Sequence, residues 1–392
     1  MATSNSYLVT VAGPDHPGIT AKLMTIIRTH KTVLSDIGQA VTHGLLSLSF
    51  LIESGPSDSD VLKDLLFEAN KMGLALTYQS INKRVDIQTT TEKFILNCVS
   101  PTEVTAAFIA DVATVLSKYT INILRIDNIN PRTFKAIEIS TTIPEGLDFK
   151  KVKEELLNIS TAHRIDVAFL KDNVFRRSKR LIVFDMDSTL IQTEVIDEMA
   201  EAAGVGPFVK AITERAMNGE MDFDESLRQR VAQLKGLTIE QMKDILEKLP
   251  LTVGAQDFIT TVKGLGYKVA VISGGFSFFA NALKDRLGLD YAFANDLKIE
   301  NGKLTGEIDG AIINAQQKAL LLKVIAQQEK IALEQVVAIG DGANDLPMLA
   351  TAGLGIAFHA KDIVRKNAQQ HMSHGPMTSI LYFLGIPGPL NH

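Results

Sequence analysis

Residues 181–191 read LIVFDMDSTLI: four apolar residues in a row, then Asp185 and Asp187 two positions apart. An apolar run without alternation is expected of a parallel strand buried on both faces. Two carboxylates at the end of such a strand repel each other in a dry site, so either a cation holds them or the segment is a polar turn. The rest of the chain decides between these readings.

Two further runs share the pattern, YKVAVIS at 267–273 and VVAIGD at 336–341. Helical periodicity over 255–265, 276–287 and 315–330 alternates with them, which predicts a doubly wound α/β domain. In such sheets ligands bind beyond the carboxyl ends of the strands. Those ends carry Asp185 to Thr189, then Ser273, Gly274 and Gly275, then Asp341, Asn344 and Asp345, so three strands deliver acids or small hydrogen-bonding groups to one rim. Oxygen donors with no Cys or His cluster favour a hard cation such as Mg²⁺. Asp185 and Asp341 would hold it, with a backbone carbonyl near Asp187. Ser273 and the Gly274 amide suit phosphate oxygens, and Lys318 in NAQQKALLL supplies a further cation. The interval 192–251 reads as wholly helical and is placed to cover the rim as a lid.

Upstream, the stretches at 7–27 and 94–116 each begin as a strand, turn at a proline and continue with helical periodicity. Each is followed by two strand-like runs, a helix and a last strand, giving β-α-β-β-α-β twice, the order of a ferredoxin-like α+β module. The expected division is a first module at 1–85, a second at 86–172 and the α/β domain at 180–392 with its cap at about 192–251. KDNVFRRSKR, residues 171–180, reads as a linker with an exposed basic face.

A chain of 392 residues exceeds one hydrophobic core, in keeping with several domains. Its 40 Lys and Arg against 45 Asp and Glu exclude a generally basic, nucleic-acid-binding surface. Cys98 is the single cysteine, which rules out an intrachain disulfide and points to a reducing compartment. With no basic start leading into an apolar stretch and no apolar run near 20 residues, neither a signal peptide nor membrane association is expected, and the reading is cytoplasmic.

DMDST, SGG, the downstream lysine and GDGAND, in that order, resemble the haloacid-dehalogenase superfamily over 180–384, and within it most closely the phosphoserine phosphatases. Each N-terminal repeat looks like an ACT domain, a small amino-acid-sensing module. The resemblance implies a Rossmann-like core with a helical cap and Mg²⁺-dependent hydrolysis of O-phosphoserine, the last step of serine biosynthesis. It implies Asp185 as nucleophile, Asp187 as proton donor and acceptor, and a metal held at Asp185, Asp187 and Asp341. Glu194 would meet the substrate ammonium, Arg230 its carboxylate, and Ser273, Gly274, Lys318 and Asn344 its phosphate. Arg228 lies two positions from Arg230, so on a helix the two cannot share a direction. Thr189 and Asp345 stand as supporting residues, and Met217 and Phe223 as apolar groups closing the lid.

Copy one of the repeat has GPDHPGIT, with Gly18 at the turn into its helix, where backbone amides could meet an amino-acid carboxylate; copy two has Thr105 there. Serine feedback through Gly18 and a homodimer or higher homo-oligomer are expected, against an alternative in which both copies serve dimerisation alone. Two other functions stay open: a phosphatase or phosphotransferase for another small phosphomonoester, and an amino-acid sensor with a non-catalytic phosphatase-like domain.

Overall fold

The computed structural model describes residues 5–54, 59–81, 92–130, 133–217 and 220–389. It comprises two compact units, Met1–Thr90 and Thr91–His392.

In the first unit β1 (Asn5–Pro14), β2 (Val33–Thr42), β3 (Leu45–Ser54) and β4 (Ala75–Ile81) form an antiparallel sheet in the order β2-β3-β1-β4. The helices Ile19–Thr29 and Ser59–Lys71 cover one face, burying Leu23, Ile27, Val61 and Leu65 against Val9, Val11, Leu48 and Phe50. Each β1 residue facing the helices alternates with one facing away, which is the period of two that a half-covered sheet demands.

The second unit opens with the same β-α-β-β-α-β order: β5 (Lys93–Val99), β6 (Asn122–Asn128), β7 (Ala136–Thr142) and β8 (Asp166–Lys171), arranged β6-β7-β5-β8, with helices Ala106–Lys118 and Phe149–His163. Here both faces are covered, because residues 377–384 lie against the side the helices leave open: Ala136, Ala168 and Leu170 share a core with Ile380, Leu381 and Phe383. The Asp166 carboxylate accepts N–H bonds from Ser373 (2.6 Å), His374 (3.0 Å) and Gly375 (3.2 Å). Gln370 completes the seam by donating to the Phe169 carbonyl and accepting from its N–H, both at 2.9 Å.

The expectation of an exposed basic linker at 171–180 holds for Lys171, Arg177 and Arg180 and is corrected for the other two cations. Arg176 is buried and donates twice to Glu138, at 2.9 and 3.1 Å, and Lys179 is buried with its ammonium on the Glu334 carbonyl. Arg177 alone of these three is well exposed. A buried guanidinium needs a carboxylate, and Glu138 sits on a neighbouring strand that local sequence does not reveal.

The third sheet runs β12-β11-β10-β9-β13-β14-β15, with β9 (Leu181–Phe184) in the middle, β10 (Lys268–Phe276), β11 (Tyr291–Glu300), β12 (Lys303–Asp309), β13 (Val336–Gly340), β14 (Leu354–Phe358) and β15 (Gln370–Met372). All neighbours are parallel except the β11–β12 hairpin. Every residue of β9 is fully buried, as the uninterrupted apolar run predicts. The interval after it holds four helices, Val195–Ala202, Gly206–Met217, Phe223–Gln233 and Ile239–Lys248, the last started by a Thr238–Gln241 capping box. Ile191 and Leu251 pair at the root of this insertion, so the cap leaves and re-enters the domain at one point. Among the described residues no helix is long and apolar enough to cross a membrane.

The seam between β8 and β15 carries an acid-sensitive group. Burial, helped by Arg365, His374 and Lys153, pushes the His371 pKa down from 6.5 to about 4. The unfolded chain therefore binds the extra proton first as the pH falls through that interval, and stability is lost on acidification from 6.5 towards 4. His371→Gln is expected to remove about 2 kcal/mol of the stability difference between pH 7 and pH 4.5. Urea unfolding midpoints of the two proteins at both pH values check this; parallel losses would contradict it.

Candidate active site

Asp185 directly follows β9, and its N–H donates to the Ile339 carbonyl of β13 at 2.9 Å, so the nucleophile candidate is anchored to the sheet itself. The chain then makes one wide turn, with Ile191 N–H on the Met186 carbonyl, and Ser188 adopts φ 55, a left-handed conformation costly for a residue with a Cβ. That turn returns Asp187 to the same rim. Its Oδ1 accepts the Val195 N–H at 2.8 Å, at the start of the first cap helix, and its Oδ2 accepts the Ser273 hydroxyl at 3.1 Å.

Lys318 is fully buried beneath Asp185. Its ammonium donates to Asp185 Oδ1 at 2.6 Å and to Asp345 Oδ1 at 2.7 Å. Asn314 caps the Ala315–Gln328 helix through the Gln317 N–H and so sets where Lys318 enters the site. Asp345 also accepts the Gly342 N–H at 3.0 Å, and it tucks so tightly against Gly340 that a Cβ there would lie 2.5 Å from its carboxyl carbon. Only glycine at 340 permits that arrangement. Thr189 donates to Asp341 Oδ1 at 3.1 Å.

Asp185, Asp341 and Asp345 bring carboxylate oxygens within 4.8 Å of one another. Burial, and then the neighbouring carboxylates, raises Asp185 well above the ordinary aspartate value. Burial and Asp345 raise Asp341 to about 6; burial and Glu194 raise Asp187 to about 7. Burial works against the charge on Lys318, yet Asp185 and Asp345 hold it above the ordinary lysine value. One ammonium thus leaves the acids under-neutralised, and an all-oxygen donor set of this kind fits a hard divalent cation.

Above these groups lies a cavity of about 720 Å³, walled by the rim on one side and the cap on the other. Asp185, Asp187, Glu194, Arg230, Gly274, Asp341 and Asn344 all line it. Glu194 is fixed by the Ser188 hydroxyl at 2.8 Å. Arg230 is half-buried and faces Asp197, Glu194 and Asp187, whereas Arg228 is exposed. Phe223, first residue of its helix after the Asp222 cap, reaches across to Gly274: a Cβ at 274 would lie 3.0 Å from the end of its ring. The Met217 side chain lies outside the described residues.

The rim also departs from expectation. SGG does not follow the strand but forms its end, since β10 continues to Phe276. Ser273 is fully buried, gives its hydroxyl hydrogen to Asp187 and accepts the Gly275 N–H at 2.8 Å, so it orients the acid rather than standing free in the cavity. Sequence reasoning missed Asn295, a buried amide that donates to the Gly274 carbonyl (2.8 Å) and accepts from Ile313 N–H (2.7 Å), pinning the glycines. A lone Asn inside the strand-like AFAND run was its one local signal. In the N-terminal unit Gly18 has φ 100 and precedes its helix without a side-chain cap, whereas Thr105 in the second module caps its own helix through the Phe108 N–H at 3.2 Å.

Residues 179–353 match the haloacid dehalogenase-like hydrolase family, and residues 6–79 and 98–170 each match an ACT domain. A phosphoserine phosphatase of Mycobacterium tuberculosis is 37% identical over 389 residues, covering 98% of this chain and 94% of that one. The chain belongs to the phosphoserine phosphatase family. Among phosphoserine phosphatases of solved structure, a probable one from Vibrio cholerae, unliganded, superposes with a TM-score of 0.61 at 38% identity, over 76% of this chain and 87% of that one. A phosphoserine phosphatase solved as a phospho-aspartyl intermediate analogue matches 53% of this chain and 99% of its own at 47% identity, with a TM-score of 0.50.

Proposed function

We propose that the protein hydrolyses O-phosphoserine to serine and phosphate, with Mg²⁺ as cofactor, and so completes serine synthesis in the cytoplasm. The observation that carries this reading is one cavity holding a buried acid cluster together with Glu194 and Arg230. Phosphoserine presents an ammonium for Glu194, a carboxylate for Arg230 and a phosphate for the cation that the acid cluster would hold. The relatives named as phosphoserine phosphatases support the same substrate.

Asp185 attacks phosphorus in line while the bond to the serine oxygen breaks, giving an aspartyl phosphate; the phospho-aspartyl analogue of a relative supports this step. Asp187, protonated, donates to the departing alkoxide, then takes a proton from the water that releases phosphate from Asp185. A pKa of about 7 suits a carboxyl that must alternate between these states. The Val195 N–H and the Ser273 hydroxyl keep its oxygens oriented, and Lys318 offsets charge on Asp185. Asp185 and Asp341, with the backbone near Asp187, would hold Mg²⁺, which when bound offsets repulsion between carboxylate and phosphate dianion. Gly274 and Asn344 contact phosphate, and Phe223 closes the lid. Residues 1–85 and 86–172 serve assembly, as a homodimer or larger homo-oligomer, and serine sensing near Gly18.

Phosphate release from phosphoserine, phosphoethanolamine and 3-phosphoglycerate tests the substrate. Wild type should favour phosphoserine over phosphoethanolamine, which lacks the carboxylate, by about 10- to 150-fold in kcat/KM, and Arg230→Gln should erase that preference by losing a charged hydrogen-bonding partner. Equal rates on all three in wild type would instead favour a general phosphomonoesterase.

A further inference from the structure

A second cavity, of about 210 Å³, opens where the Phe149–His163 helix and β8 meet residues 365–371 of the phosphatase domain. It is separate from the catalytic cavity and shares no lining residue with it. Its floor is apolar, built from Leu156, Val167 and Phe169, all nearly inaccessible to solvent. Its rim is cationic: Lys150, Lys153, Arg365 and Lys366 against the single acid Glu154. Lys150 and Lys366 have no ion pair within 4 Å among the described residues, and Lys153 meets a neutral oxygen, the Gln369 carbonyl, at 2.7 Å.

Lys150 and Lys366 are exposed. Arg365 is held by the Asp362 carboxylate and by the Ser373 hydroxyl at 3.3 Å, yet its Nε–H is buried with no hydrogen-bond partner. The part of the Arg365 side chain that lines the cavity adds its positive charge to that of the lysines. His371 is neutral near pH 7, so it adds nothing that would repel an apolar body from the floor. The volume is far more than one water requires, and an apolar floor with a few convergent polar groups is the make-up of a small-molecule site.

We propose that this junction binds a small organic anion with an apolar body, such as an aryl or branched aliphatic carboxylate, its charge between Arg365 and the lysines and its body on Leu156, Val167 and Phe169. Serine, with no apolar body, does not fit this description, so the site is distinct from any serine site near Gly18. The occupant would touch Arg365 on the Asp362–Asn367 helix, whose Ile363 and Val364 line the catalytic cavity.

Titration of the full-length protein with 4-fluorophenylacetate, followed by ¹⁹F NMR, tests this. Saturable binding is expected, at least tenfold tighter than that of the uncharged 4-fluorophenylacetamide. Lys150→Glu with Lys366→Glu changes only exposed side chains and should weaken binding at least tenfold while phosphate release is unchanged. Leu157 also lines the cavity, and Leu157→Trp should fill it and abolish binding. No saturable binding by wild type, equal binding of the amide, or undiminished binding by both variants would overturn the proposal.

Discussion

Asp185→Asn lowers kcat for phosphoserine by about 10⁴-fold or more, because the amide keeps the shape of the carboxyl and loses the electron pair that attacks phosphorus. The same substitution is expected to leave the fold at least as stable in the absence of metal. Burial and three neighbouring acids disfavour charge on Asp185, so a neutral isostere relieves that cost, and Lys318 retains Asp345. Phosphate release and thermal unfolding on one preparation check both halves. Retained turnover would remove Asp185 from the chemistry.

Lys318→Met does the opposite to stability. It takes the one ammonium from between Asp185 and Asp345, at 2.6 and 2.7 Å, and leaves two buried carboxylates facing each other. Removing one partner of a buried ion pair costs about 3–5 kcal/mol, which for a unit of this size is a fall in Tm of roughly 10 °C without metal. Turnover should fall by about 10²–10³-fold, as for loss of one preorganised charge that stabilises the transferring phosphoryl group. Adding Asp345→Asn should recover part of the lost Tm but not the lost activity. An unchanged Tm in the single variant would show that Lys318 is not holding the acids together.

The parts legible in the sequence are those whose signal is local. LIVF, VAVIS and VVAIG announce strands buried on both faces because no residue in them needs water, and the acids beyond their ends follow from where such strands must stop. The two β-α-β-β-α-β modules were readable from period and turn residues, with strand ends displaced by a residue or two. What escaped depends on distant partners. Arg176 and Lys179 look like solvated linker charges until Glu138 and the Glu334 carbonyl arrive from other elements. The hydroxyl of Ser273 is legible as a polar group at a strand end, but its bond to Asp187, 86 positions earlier, is not. The β11–β12 hairpin has no apolar run to announce it, because its strands mix polar and apolar residues, although Asn301 and Gly302, both at positive φ, mark its turn. β15 spans three residues, too few for any periodicity.

The most direct test of the central claim is to mix the enzyme with phosphoserine labelled with ³²P, quench in acid within milliseconds, and map the label by peptide. Hydroxylamine-labile label on Asp185, absent from Asp185→Asn and accumulating in Asp187→Asn, is the predicted result. Turnover without protein-bound label, or label on another residue, would contradict the account.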